Sequence, residues 1–503
     1  MRSDTILVRN ALALSLATCL AACGGSSGTA GSTSNGATGS TSSGNIAQTP
    51  AATATLSTVI GSVTGFGSIV VDGVHYDDSN ASVIRAKSTG VLANSDARLG
   101  QRVILTLDSQ GAAAKVEVLP ELEGAVASID ASLSRFVVNG LTVTINTDAN
   151  AGPLTVFGGG YSAFADIKAS DLVEIHGMAK ADAAPGAAAN TYVVQATRIE
   201  KQSDPLLELR AGGYIQNLVT ASGKTTFTLG ALTVDATASA IKPSGTTLVN
   251  GQYASVQTTQ AITGNLMSAS SIRIVDRRKD STPNQTVRIA SEISAIDAAA
   301  GTFVLDGVTV SSKSAVLSPK GATVAVGLYA RASGVFDANG VLQATEVTLR
   351  DESAPAVEIK GTVAGFTNLS DFTVRGVPVN GSAAKLSSCP ATGLADGQQV
   401  EVHGSITLTS PKVNASSIEC IAAQAMSAGE VVERAGLASS VNPTAKTLVL
   451  TPRKGAAITV TWTDKTFFDK KVNSSALAGT SLEVEGPLAA DGSLLARKIS
   501  RSD

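Results

Sequence analysis

One short hairpin recurs along the chain. It reads SIVVDGVHY from Ser68, RFVVNGLTV from Arg135, TFTLGALTV from Thr226, TFVLDGVTV from Thr302 and DFTVRGVPV from Asp371. Each copy is a pair of alternating apolar runs joined by two residues. Asp72-Gly73, Asn139-Gly140 and Asp306-Gly307 are dipeptides that accept the positive φ angles of a type I′ turn. A hairpin that returns in this way makes the chain a tandem repeat of small β units, and internal repetition constrains architecture before any single motif does.

A second pattern closes each unit. It reads LGQRVILTL from Leu99, SDLVEIHG from Ser170, NGQYASVQT from Asn250, VGLYARASG from Val326, DGQQVEVHG from Asp396 and GTSLEVEG from Gly479. Most of these precede an Ala-x-x-(Ile/Val) strand, at Ala196/Ile199, Ala269/Ile272, Ala344/Val347, Ala415/Ile418 and Ala496/Ile499. The pattern predicts six units, at residues 57–120, 121–203, 204–281, 282–353, 354–424 and 425–503. Polar breaks at Lys201 to Pro205, Asp276 to Asp280 and Asp351 to Pro355 separate them.

Charged residues are only 16% of the chain, glycines number 48, and Val, Ile and Thr fall in short runs without helical periodicity, so the expected class is all-β. A five-stranded unit of this size left as a flat sheet would expose both edges, and closing it into a barrel removes them. Three strands, a variable connection and two further strands resemble an OB-like barrel. A small β-sandwich is the competing arrangement. In the barrel, alternation puts Val173 and Ile175, or Val400 and Val402, inside, and Glu174 and His176, or Glu401 and His403, outside.

The first 22 residues read as a targeting segment, with Arg2 and Arg9 ahead of the short apolar run Ala11 to Leu20. Leu20-Ala21-Ala22-Cys23 resembles the bacterial lipobox, which implies lipidation of Cys23; Gly24 after it implies the outer membrane. The alternative is a secreted chain with Cys23 as a free thiol. Residues 23–56 are dominated by Gly, Ser, Thr and Ala and are expected to be a disordered tether with a span of about 30 Å and a reach of about 100 Å. Cys19 leaves with the leader, so Cys389 and Cys420 remain as a pair. A disulfide is expected in an oxidising compartment; the alternative is a two-thiolate metal site with His403 nearby.

GSVTGFGSIVVDGVHYD from Gly61, LGQRVIL, and their echoes GTVAGFTNLSDFTVRGVPV from Gly361 and DGQQVEVHG resemble the tandem module of bacterial exported lipoproteins known only as a domain of unknown function. The resemblance covers most of residues 57–424. It is weakest in unit six, where Pro452-Arg453-Lys454-Gly455 stands in for the Asp-Gly turn. It implies an envelope location and small β-barrel repeats, and brings no catalytic residue with it.

A net charge of −3, a pI near 5.8 and 4% aromatic residues give no basic field or stacking platform for nucleic acid. The chain has three histidines. His75 follows the first hairpin turn, while His176 and His403 occupy matching places in Val-Glu-(Ile/Val)-His-Gly. Each has a glutamate on its own strand face, Glu174 or Glu401, so two facing repeats would place metal-ligand chemistry together. The plainer reading is solvated side chains on an outer face. No Gly-x-Ser-x-Gly elbow precedes a helix, and Gly158-Gly159-Gly160 and Gly65-Phe66-Gly67 lack the setting of a phosphate loop. Arg277-Arg278-Lys279 reads as a solvated basic linker. Trp462 with Phe467 and Phe468 is either a binding patch at the far tip of the array or the core of the last unit.

No catalytic residue, cofactor or resident metal is therefore expected. The leading expectation is a lipid-anchored, non-enzymatic binding module for a polysaccharide, peptide or protein partner of the envelope. A structural spacer or self-associating surface element is the second reading, and a metal-dependent hydrolase the third. Specificity is expected in the connections, such as Pro153 to Phe164 and the loop after Cys389.

Overall fold

The computed structural model describes residues 56–501 except 87–91, 183–191, 203–207, 275–284, 351–356, 409, 422–427, 430, 453–455 and 470–471. The leader, Cys23, the tether to residue 55 and Arg277-Arg278-Lys279 lie outside the described residues.

Unit two shows how the repeat closes. Its first strand, Leu122–Asp130, pairs antiparallel with the second, Arg135–Val138, and with the fourth, Leu172–Ala181. The second pairs with the third, Leu141–Ile145, which runs parallel to the fifth, Tyr192–Lys201. The fourth and fifth form an antiparallel hairpin. The ring therefore runs 1-2-3-5-4-1 and has no free edge. The same ring recurs in unit three, unit four, unit five and unit six. Unit one closes likewise, with Ala113 N–H donating to Asp77 C=O to join the third lane to the fifth. These are OB-like barrels and not sandwiches, and among the described residues there is no α-helix.

Two local devices let one strand serve two partners. The register shifts partway along every first strand, at Val63/Gly65, Val126/Ser128, Gln216/Val219, Ile293/Ala295, Ala364/Asn368 and Ser439/Asn442. A bulge bends the strand, so that one half pairs with the second strand and the other with the fourth. The glycine that ends the closing motif does the same on the fourth strand. A Cβ at Gly177 or Gly404 would collide with the carbonyl oxygen of Gln195 or Asn414 across the hairpin.

The interior follows the alternation. Val173, Ile175, Val400 and Val402 are all fully buried. The second strand sends one large side chain into each barrel: Ile69, Phe136, Phe227, Phe303, Phe372 and Leu448, none more than 2% exposed. Burial of each is worth about 1.5–3 kcal/mol. Cys389 and Cys420 form a disulfide with Cα atoms 4.7 Å apart, and closing its 31-residue span contributes roughly 3–4 kcal/mol.

The tandem units gather around barrel one. Its first strand, Leu56–Phe66, runs parallel to the first strand of barrel four at Val59–Arg288 and to that of barrel five at Gly65–Glu358. Barrels one and five share a hydrophobic cluster, as do barrels two and three, whose first strands pair at Glu123–Arg210. Barrel six reaches back to barrel one: Arg497 donates to the Asp78 carboxylate at 2.8 Å, and Asn94 donates to Asp464 C=O at 2.6 Å.

The hairpin turns are the docking pegs of this arrangement. Asp72, Asn139, Asp306 and Arg375 all have φ between 46° and 52°, each followed by a glycine of positive φ, as type I′ turns require. Each then reaches a neighbour. Asp72 accepts from the Tyr329 hydroxyl at 2.6 Å, its C=O accepts from Arg331, and Asp306 accepts from Arg102 at 2.7 Å. Arg375 donates to Glu485 of barrel six. The Asn139 amide donates at 2.9 Å to Glu123 C=O of its own barrel and at 2.8 Å to Arg210 C=O of barrel three. Replacing Asn139 with Ala removes both bonds and puts a less tolerant residue at positive φ. Denaturation of the full chain should show a loss of about 2–4 kcal/mol, whereas an unchanged midpoint would reject the peg.

Candidate functional site

The closing motif Val-Glu-(Ile/Val)-His-Gly sends its Glu and His out of the barrel, and what they meet depends on the neighbour. In barrel two the outer face is covered. His176 is fully buried; Nδ1 lies 3.0 Å from Leu119 C=O, and Nε2 lies 2.9 Å from Glu174. Both partners are acceptors, so both ring nitrogens are committed and neither is open to a metal. Glu174 also accepts from Arg85 of barrel one at 2.7 Å. Arg85 donates in addition to Glu123, which accepts from Arg210 of barrel three at 2.8 Å. Burial opposes the Glu174 charge, but Arg85 and His176 outweigh it and hold the carboxyl well below its usual range. His176 and Glu174 are thus neither solvated residues nor free ligands; they are the polar filling of a junction between three barrels.

In barrel five the same motif stays half-open. His403 Nε2 lies 2.8 Å from Glu401, and its Nδ1 lies 3.9 Å from Glu358 on the first strand of that barrel. The parallel Gly65–Glu358 pairing seats the hairpin of barrel one alongside, and His75 Nε2 comes within 3.1 Å of Glu358. Ser68 Oγ meets the other ring nitrogen of His75 at 3.1 Å. Facing repeats do bring two histidines to one carboxylate: Glu358 has His75 at 3.1 Å and His403 at 3.9 Å, while His176 stays in its own junction. Glu358 carried a signal that sequence reasoning missed: it is the outward residue of Val357-Glu358-Ile359 in the strand that opens unit five.

Trp462 is 7% exposed and packs inside barrel six, edge-on to Phe468 with ring centroids 6.4 Å apart. It is core, because it follows directly on the third strand, Ile458–Thr461, whose Val460 also points inward. Nor is barrel six a remote tip, since it contacts barrel one. The connection Pro153 to Phe164 also turns inward in part, with Thr155, Phe157 and Tyr161 buried.

A cleft of about 660 Å³ opens where barrels two, three and four meet. Tyr192 of barrel two and Tyr214 of barrel three stand in it with ring centroids 5.3 Å apart, and Gln216, Asn217 and Asn250 add amides. Val304 of barrel four completes the wall. Tyr192 remains 37% exposed. The cleft had no sequence signature, because its lining comes from three units and forms only when they pack.

The buried ion network sets a pH dependence. The Glu174 carboxyl is depressed in the folded state, so the unfolded chain takes up its proton first as pH falls. The stability that Glu174 provides is complete above its ordinary value near 4.3 and is lost below it. Glu174→Gln should destabilise the protein by about 3–5 kcal/mol at pH 7. The midpoint of the variant should then fall less steeply than that of the native chain between pH 5 and pH 3; parallel falls in thermal scans would exclude this residue as the source.

No curated protein matches the chain. Among solved structures, Drosophila Unr CSD456 is similar at 14% identity, over 42% of this chain and 97% of its own, with a TM-score of 0.12. A domain of unknown function, DUF5666, matches residues 123–185, 292–348 and 435–500, each match beginning in the first strand of a barrel, in units two, four and six. The chain is a repeat protein that carries this domain of unknown function in three tandem copies.

Proposed function

We propose that the protein is a non-enzymatic binding module of the cell envelope, held by a lipid on Cys23, and that it takes a carbohydrate chain in the cleft between barrels two, three and four. The cleft carries the reading. Its volume of about 660 Å³ lies in the usual range of ligand sites. A tyrosine pair offers flat apolar faces to the C–H surface of a sugar ring, and Gln216, Asn217 and Asn250 offer both donors and acceptors to its hydroxyls. Neutral amides in place of charges suit an uncharged glycan better than a phosphate or an acidic peptide. The OB-like barrel is a scaffold on which oligosaccharide sites are built.

Two measurements test the reading. Calorimetric titration of the folded chain with envelope polysaccharide fragments should show saturable binding that Tyr192→Ala weakens about tenfold or more, with an unchanged melting midpoint. Absence of binding, together with concentration-dependent self-assembly, would favour the spacer reading. For the anchor, Cys23→Ser should move the protein from the detergent phase to the aqueous phase. Partitioning that ignores the substitution would remove the lipid from the account.

A further inference from the structure

We infer that the seam between barrels one and five is a metal site, in which His75, Glu358, Glu401 and His403 hold one divalent transition ion of the zinc class. The inference is independent of the carbohydrate reading, since the seam and the cleft share no residue.

The argument begins with convergence. Two of the three histidines in a 503-residue chain approach one carboxylate, that of Glu358, from units far apart in sequence: His75 at 3.1 Å and His403 at 3.9 Å. Ligand atoms of Glu358, Glu401 and His403 all lie within 4.8 Å of one another, and His75 Nε2 stands 3.1 Å from the Glu358 carboxylate. Metal–nitrogen and metal–oxygen bonds of about 2.0–2.2 Å place neighbouring ligands about 3–3.5 Å apart, so side-chain shifts of about 1 Å bring these groups onto one ion.

Orientation points the same way. Ser68 Oγ engages His75 Nδ1 at 3.1 Å, which directs Nε2 toward the cluster, as outer-shell partners do for metal-binding imidazoles. The contrast with barrel two is informative. There the same motif is sealed, with both nitrogens of His176 and the Glu174 carboxylate satisfied by Leu119 and Arg85. In barrel five Glu358 meets His75 and His403, and Glu401 meets His403. The side chains are 25–50% exposed, so an ion can enter from solvent.

The chemistry selects the ion class. Two carboxylates and two neutral imidazoles sum to −2, which a divalent cation neutralises. Imidazole favours zinc, copper, nickel and iron over calcium and magnesium, which take oxygen ligands. Among the described residues no thiolate is available, since Cys389 and Cys420 are bonded to each other. An ion here draws ligands from barrels one and five at once, and clips together two units joined directly by the short Gly65–Glu358 pairing.

The test uses the untagged, chelator-treated folded chain and zinc chloride alone. Equilibrium dialysis should give one equivalent of zinc, with a thermal midpoint that rises with zinc concentration. Cobalt chloride should give a visible absorption band of a nitrogen- and oxygen-ligated site. His75→Ala with His403→Ala should weaken zinc binding at least a hundredfold. Glu401→Gln, nearly isosteric and therefore neutral to folding, should weaken it at least tenfold. Less than one equivalent in the native chain, or one equivalent that survives both variants, overturns the site and leaves the cluster as hydrogen-bonded His–Glu pairs.

Discussion

The positive-φ turn at the tip of the second-to-third-strand hairpin in barrels one to five is the constraint on which this molecule depends. A type I′ turn fixes hairpin register, which fixes which residues enter the barrel. The same turn leaves one side chain projecting from the barrel end. In Asp72, Asn139, Asp306 and Arg375 that side chain is polar and is spent on the adjacent barrel. One local conformation therefore specifies both the fold of a unit and the placing of its neighbour. Unit three supports this by exception: Gly230 stands at the same place with φ 52°, has no side chain to offer, and packs against Leu141 of barrel two.

Docking through charged groups is a costly way to join barrels. Taking Arg102 and Asp306 out of water costs several kcal/mol per ion, and their attraction recovers that only with good geometry and further hydrogen bonds. Arg102 meets both conditions, donating also to Ala290 C=O at 3.0 Å. Asp72 beside it shows the cost: burial pushes its carboxyl above the usual value against the pull of Arg102 and Tyr329. Such junctions add little net stability but admit few alternatives. In a chain of six similar barrels, an apolar face would fit several neighbours equally well. A buried Arg–Asp pair fits one, which makes specificity the more plausible return on its cost.

How far the sequence was legible follows from where the determining contacts lie. The barrel was legible because its determinants are local: alternation in Val173 and Ile175, the large residue at Phe136, the dipeptide Asn139-Gly140. The Cys389–Cys420 bridge was legible from elimination. The reading of Glu174 and His176 as outward-facing was right about the barrel and wrong about the solvent, because Arg85 of another unit covers them. Of the two readings of Trp462, patch or core, the structure has the core one; the sequence left both open because a lone aromatic gives no sign of which side of a strand end is covered. The Tyr192–Tyr214 cleft and Glu358 escaped notice because their significance lies in residues 20 to 280 positions away, and no spacing rule relates units that pack out of order.

The two copies of Val-Glu-(Ile/Val)-His-Gly show what this implies for function. Backbone and bulge are the same in barrels two and five, and the inward residues differ only by Ile175 against Val402, so the motif itself cannot be what differs. What differs is the partner: Arg85 and Leu119 seal one copy, while the other meets Glu358, which His75 also reaches, and stays open to solvent. A residue outside the repeat decides whether its Glu–His pair is filling or ligand. For a protein assembled from near-identical barrels, chemistry accordingly resides in the seams, where two units contribute unlike residues to one place. The barrel supplies a rigid frame with no free edges, and the order of packing determines which frames look at each other.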